Sequence, residues 1–394
     1  MAVGAVTTAN PAFFNTRFTE AYLTQPNLTG EARYRGLHVI GTLNLEGYTL
    51  KRGELNAGIY GEGYVDRRHP HTLVHEAMLG IVSPSVGGMR ASLAVGKGFT
   101  PYGTDDPMMR PFVKYPVNHH HAQVIERAVA VGAIAYGDPA SGRGVALELG
   151  VFNGDEPVTP FSAPRWSRFG DSRSARLTLK PAAPLELQAS RAFVTSPGIV
   201  QGGAFDHTQS SMSVRWSETA PGRLVRYALV EVARTDEGDG GSREFRYESL
   251  LAEATASYRG WTLGARGEST ERPESERLLD PFRTASGHID FQILGVTRWR
   301  IATVGVGSPP LPVPGLRGTR VTPFVEVARA TGDSRRRPAL FEPREFYGSA
   351  TQWSVSAGVR LHVGSMRDRM GRYGVLAPSP GAAGSHAGHG TSHR

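Results

Sequence analysis

Three histidines fall within seven residues of one another in the run Asp66-Arg67-Arg68-His69-Pro70-His71-Thr72-Leu73-Val74-His75-Glu76. Imidazoles beside carboxylates are a donor set that borderline metals such as zinc and copper favour. His71 and His75, four residues apart, share a face of either a strand or a helix. The His75-Glu76 pair is not a zincin motif, because Leu79 stands where the second histidine would be. The competing reading is a polar hairpin at a rim, with Arg67 and Arg68 paired to acidic groups or to lipopolysaccharide phosphates.

A second group lies in residues 99–125, FTPYGTDDPMMRPFVKYPVNHHHAQVI, which carries Asp105, Asp106, Arg110, Lys114, His119, His120 and His121. A loop of this length is more often functional than not. Folded into a pore, it would set Asp105 and Asp106 against Arg110 and Lys114 and create a transverse field at a constriction. The alternative is an ordinary surface loop. A sharper expectation joins His69, His71 and His75 to His119, His120 and His121 in one zinc or copper site. His386, His389 and His393 in the tail could hold a metal transiently, or simply be solvated. There is no Gly-x-Ser-x-Gly elbow and no phosphate-binding Gly loop, so a hydrolase would have to assemble its groups from distant parts of the chain. No catalytic residue is assigned.

The scaffold that must position these groups is legible in composition. The 394 residues are 39% hydrophobic, which is lean for a solid core, and 48 Gly and 27 Pro are scattered along the chain. Many short strands between Gly/Pro turns give that distribution. With no cysteine there is no disulfide framework, thiol nucleophile, Cys-zinc site or iron–sulfur cluster. The longest apolar stretches, such as 128–137, cover half of the roughly 20 residues a membrane-spanning helix needs. If the chain spans a membrane, it must do so as a closed barrel. Residues 1–12 lack the features of a signal peptide, so the numbering is expected to start near a mature end or from a misplaced start.

The formal net charge is +8, and all but four of the 44 basic residues are arginine (the lysines are Lys51, Lys97, Lys114 and Lys180). This reads either as a lumen that attracts anions or as arginine-rich codon usage. The basic residues form no helical stripe, so no nucleic-acid partner is expected.

Period-2 alternation recurs almost throughout. Trp353, Val355, Ala357, Val359, Leu361 and Val363 oppose Gln352, Ser354, Ser356, Gly358, Arg360 and His362. Similar rows start at Leu37, Leu55, Met89, Val145 and Ala175, whereas 223–234 and 286–307 can be read in either phase. In a membrane such a strand has one lipid face and one wet face. The wet faces so assigned carry Glu46, Glu62, Asp66 and Glu148 against Arg90, Arg176, Lys180, Arg215 and Arg360.

The connections add a rhythm. Short turns near 51–53, 83–87, 138–142, 180–184, 218–222 and 259–260 alternate with longer polar segments near 99–125, 153–171, 194–206, 235–243, 272–286 and 332–349. A transmembrane barrel has this asymmetry between its two ends. Even parity, with a first strand at 14–23, predicts an all-β antiparallel transmembrane β-barrel of about 16 strands, with 14–18 open and both termini at the short-turn end. The expected layout is an N-terminal extension at 1–13, the barrel at 14–365, and a C-terminal extension and disordered His/Gly/Ala tail at 366–394.

On strand pattern and loop rhythm, residues 14–365 resemble Gram-negative outer-membrane porin-like proteins, loosely the phosphate-selective type. The departure is at the end, where some 30 residues follow the last strand and Tyr373 stands as a candidate displaced terminal aromatic. The resemblance implies a bacterial outer-membrane channel for passive diffusion of small hydrophilic, including anionic, solutes. It also implies contact with lipid and lipopolysaccharide, compatibility with a homo-oligomer, and no enzymatic cofactor. The alternatives are a plugged or metal-binding (Zn or Cu) barrel and, third, a barrel hydrolase.

Overall fold

The computed structural model describes residues 1–10, 17–49, 72–104, 106–117, 122–124, 126–140, 142–155, 157, 161–197, 205–218, 220, 222–274, 295–335, 342–364 and 369–377. Its first strands are β1 (Ala2–Asn10), β2 (Phe18–Thr24), β3 (Asn27–Tyr34), β4 (Leu37–Asn44), β5 (Val74–Val82) and β6 (Met89–Gly98). Next come β7 (Arg127–Gly137), β8 (Gly144–Phe152), β9 (Ser172–Ala182), β10 (Leu185–Val194), β11 (Asp206–Ser217) and β12 (Val225–Gly238). The last are β13 (Phe245–Tyr258), β14 (Trp261–Glu274), β15 (Gly295–Gly307), β16 (Leu311–Pro312), β17 (Thr319–Ser334) and β18 (Thr351–Val363).

These belong to one 18-stranded sheet whose ladders among the described residues are all antiparallel. Two of the strands are not independent spans. Only Gln25 and Pro26 separate β2 from β3; Gln25 has φ 54° and Pro26 has no N–H to donate, so the strand bends there. Before the bend it pairs with β1, and after it with β4. Asn27 N–H donates to Met1 O (2.8 Å) and the Met1 amine donates to Asn27 O (2.9 Å), which carries the β1 ladder past the bend. The two-residue β16 lies beside β17, which pairs directly with β15.

The wall is therefore sixteen spans. It closes where β1 meets β18, with Ala2 opposite Leu361 and Asn10 opposite Trp353. An antiparallel first–last pair requires an even count.

Among the described residues the count agrees with the expectation of about 16 strands, and one of its members is new. Residues 2–10, expected within an extension, are a wall strand, with Val3, Ala5, Thr7 and Ala9 turned inward. Their small side chains hid the alternation. The row starting at Leu55 falls in 50–71, outside the described residues; β4 pairs directly with β5 from Leu37↔Ile81 to Leu43↔Val74. The short turn expected near 51–53 lies outside the described residues; Arg35-Gly36 joins β3 to β4. There and at Arg259-Gly260 both central residues have positive φ (45° and 85°, 51° and 83°). That backbone is the two-residue type I′ hairpin, in which glycine carries the second position without strain.

Short connections (35–36, 83–88, 138–143, 183–184, 218–224, 259–260 and 308–318) lie at one end of the wall together with the start of β1 and the end of β18. The strand ends that flank the longer connections (11–17, 45–73, 99–126, 153–171, 195–205, 275–294 and 335–350) and the tighter 239–244 lie at the other end.

The polarity of the wall is inverted relative to a soluble protein. Val355 (46%), Val359 (43%), Leu149 (56%) and Leu250 (50%) are exposed, whereas Glu231 (0%), Ser356 and Thr303 between such residues are buried.

Candidate pore-lining site

The connection from β6 to β7 turns into the barrel. Its described residues are mostly buried, Phe99, Thr100, Tyr102, Thr104, Asp106 and Arg110 among them, and their polar partners are on the inner wall. Gly103 N–H donates to Ser190 Oγ on β10 (3.0 Å), and Arg176 on β9 donates to Gly103 O (3.3 Å). Pro107–Met109 form a single 3-10 turn, in which Met108 N–H donates to Asp106 Oδ1 (2.7 Å).

The loop then reaches the opposite arc. Arg110 donates through Nη2 to Glu231 on β12 (3.1 and 3.2 Å) and through Nη1 to Glu253 on β13 (3.3 Å). Val113 N–H donates to Glu326 on β17 (2.9 Å), and Val117 N–H to Glu268 on β14 (2.8 Å). Arg266 on β14 donates to Lys114 O (2.7 Å), with its guanidinium 4.9 Å from the Phe112 ring centre. The loop thus spans the lumen from β9–β10 to β12–β17.

The electrostatics differ from those the sequence suggested. Arg110 and Lys114 enter the lumen, where glutamates of the wall lie beside them; Asp105 lies outside the described residues. Burial pulls the Lys114 ammonium down to about 8, against the opposing pull of Glu268 and Glu326. Asp106 lies elsewhere, with Oδ2 3.9 Å from His75 Nε2. Glu231 was missed because 223–234 reads in either phase; Glu253, Glu268 and Glu326 were not singled out. The observed burial sets that phase, with Glu231 inward and Val230 and Val232 outward. Of the wet-face residues expected from alternation, Glu46, Glu148, Arg176 and Arg215 are buried inside, and Arg360 donates to Glu326 (3.0 Å). Glu62 and Asp66 fall outside the described residues.

His69, His71, His119, His120 and His121 lie outside the described residues, as do Asp105 and the tail histidines. His75 is fully buried, its Nδ1 2.8 Å from Glu126 Oε1 and its ring edge-on to Phe99. Thr72 donates to the same Glu126 oxygen through its N–H (2.6 Å) and hydroxyl (2.9 Å), and Lys97 Nζ contacts the Thr72 hydroxyl. Among the described residues no three His, Asp or Glu side chains are grouped to hold a metal ion.

Tyr373 does not end a strand. It is inside the barrel, its hydroxyl donating to Glu76 (2.8 Å) and accepting from Phe99 N–H (3.0 Å).

A closed antiparallel wall with apolar residues outside and an inward loop decides the fold. It is a porin-like β-barrel. An anion-selective porin from Comamonas acidovorans is similar at 10% identity, covering 92% of this chain and 98% of that one, with a TM-score of 0.49. OmpT, an outer-membrane protein of Vibrio cholerae, is similar at 12% identity over 92% and 98%, with a TM-score of 0.46. The outer-membrane channel DcaP of Acinetobacter baumannii is similar at 8% identity over 92% and 96%, with a TM-score of 0.47. No family model and no curated protein matches the sequence. At such identities no residue role passes from those porins to this barrel.

Proposed function

We propose that this barrel is a bacterial outer-membrane channel for passive diffusion of small hydrophilic solutes. The observation that carries this reading is the inverted wall, since apolar exposure outside a polar interior is stable only where lipid is the outer solvent. Aromatic residues support it. Tyr34, Tyr136, Trp216, Tyr258 and Trp261 are exposed at the short-turn end, and Phe193 and Trp353 at the other. Aromatic girdles mark the two membrane interfaces of such barrels. From Trp353 to Val363, a strand rising about 3.4 Å per residue and tilted about 45° climbs about 24 Å, close to the height of the apolar band.

An anion preference draws less support. Among the described residues, buried carboxylates outnumber buried Lys and Arg side chains, so the excess positive charge of the chain is not in the described interior. We infer weak selectivity overall.

The test is reconstitution of detergent-refolded protein into planar bilayers. Discrete conductance steps are expected, with a mostly β circular-dichroism spectrum. Full solubility without detergent, or a helical spectrum, would end the membrane reading. Chemical cross-linking in the same detergent tests for the homo-oligomer that a porin-like barrel is expected to form.

A further inference from the structure

The chain does not stop at its last span. Residues 369–377 return into the barrel and are buried there, apart from the partly exposed Arg369. β18 ends at the short-turn end, so the segment enters from that side.

Its polar contacts run along β5–β10, an arc that the inward loop also touches at Arg176 on β9 and Ser190 on β10. Arg369 donates to both oxygens of Glu186 on β10 (2.8 and 2.6 Å), and Arg372 lies 3.8 Å from Glu148 on β8. Arg176 on β9 donates to Gly371 O (3.2 Å), Gly371 N–H donates to Glu76 on β5 (3.3 Å), and Tyr373 donates to the same carboxylate. Val375 N–H donates to Ser92 Oγ on β6 (3.1 Å), while Val375 and Leu376 pack on Ala133, Ala135 and Ala146. The segment also touches the loop, because both Arg369 (3.2 Å) and Arg372 (2.7 Å) donate to Thr104 O.

Loop and segment therefore divide the lumen. The loop is fastened to β9–β10 and to β12–β17, the segment to β5–β10, and they meet at Arg176, Thr104 and Phe99. We propose that residues 369–377 are an internal plug that holds the channel in a low-conductance state, latched by Arg369–Glu186 and Tyr373–Glu76; this rests on the channel reading above.

The latches are charge-assisted bonds, the strong class, whereas ordering the segment costs entropy in proportion to its length. Opposed terms of that kind suit a segment that can leave. Its departure removes two guanidinium groups and uncovers Glu186 and Glu76. The opened lumen then carries a carboxylate site for cationic groups of the guanidinium or ammonium class.

The experiment compares single-channel conductance and reversal potential in planar bilayers for three proteins. They are the full chain, a chain ending at Gly364, and the full chain with Arg369→Ala and Arg372→Ala. Truncation and the double substitution are each expected to raise unit conductance at least twofold and to shift the reversal potential toward cations. Because the chain has no cysteine, Ser92→Cys with Val375→Cys gives a unique pair for a bis(methanethiosulfonate) cross-linker, which forms a reducible disulfide with each thiol as a sulfinate leaves. In the double-alanine background the cross-link should restore the parent conductance, and reduction should release it. If the truncated chain does not insert, the double-alanine and cross-linked forms decide. Parent-like conductance in the opened forms, or failure of the pair to cross-link in the full chain, would overturn the plug. Absence of conductance in every form would instead overturn the channel reading, and the plug with it.

Discussion

Arg110, on the loop that crosses the lumen, is held between Glu231 on β12 and Glu253 on β13, with all three side chains almost fully buried. Glu253 also accepts from the Tyr227 hydroxyl (2.8 Å) and lies 3.7 Å from Arg266. Removing one partner of a buried ion pair leaves the other charge uncompensated and costs about 3–5 kcal/mol. Arg110→Ala should therefore destabilise the barrel by about that amount in urea unfolding from detergent. Arg110→Met combined with Glu231→Gln and Glu253→Gln should cost clearly less. Equal losses in the two proteins would mean that the charges are hydrated and that the loop is not pinned there.

Lys114 titrates within reach of experiment. Its folded value is about 8 against an ordinary 10.5, lowered chiefly by burial. Below about pH 8 both folded and unfolded chains hold this proton, and burial of the charge is a constant cost. Between about 8 and 10.5 the unfolded chain holds more protons than the folded one, so stability rises with pH across that window. Lys114→Met should flatten this rise in thermal denaturation midpoints. The same deprotonation removes a positive charge from the lumen, so the reversal potential should move toward cations as pH passes 8. A step of the same size in Lys114→Met would assign the titration to another group.

Val359 tests the lipid face. It is exposed on β18 between Arg360 and Gly358, in the middle of the outer row. Arginine there should cost about 2–4 kcal/mol of folding into bilayers if the site is near the midplane. Ser356→Thr, on the inner face, should be nearly neutral. A harmless Val359→Arg would mean that this row does not face hydrocarbon.

Zinc and copper binding by the histidines remains a proposal that calorimetry can decide. If His69, His71 and His75 act with His119–His121, binding should be micromolar or tighter and should weaken at acid pH as the imidazoles protonate. Substituting the first three should abolish it. His75 is engaged by Glu126, so a metal would have to displace that bond. Binding that survives the substitutions would point to the tail.

Strand periodicity and loop rhythm determined the wall locally. A period of two fixes which side chains share a face, so Trp353, Val355 and Val359 were assigned to the outside and Ser354 and Ser356 to the inside from sequence alone, as found. Even parity placed the start of the first span and the end of the last at one end for a reason of connectivity. Tertiary structure alone decided what fills the wall. The contacts Arg110–Glu231, Val113–Glu326 and Arg369–Glu186 join residues more than a hundred positions apart. No local pattern records which glutamate a guanidinium will meet. β1 was unreadable for a related cause, since its small residues, Ala2, Gly4 and Ala5, gain their faces only by pairing with β18 across the closing seam. Tyr373 looked like a strand terminus because aromatic residues end such strands, yet its hydroxyl is satisfied by Glu76, nearly three hundred residues away and brought beside it by barrel closure.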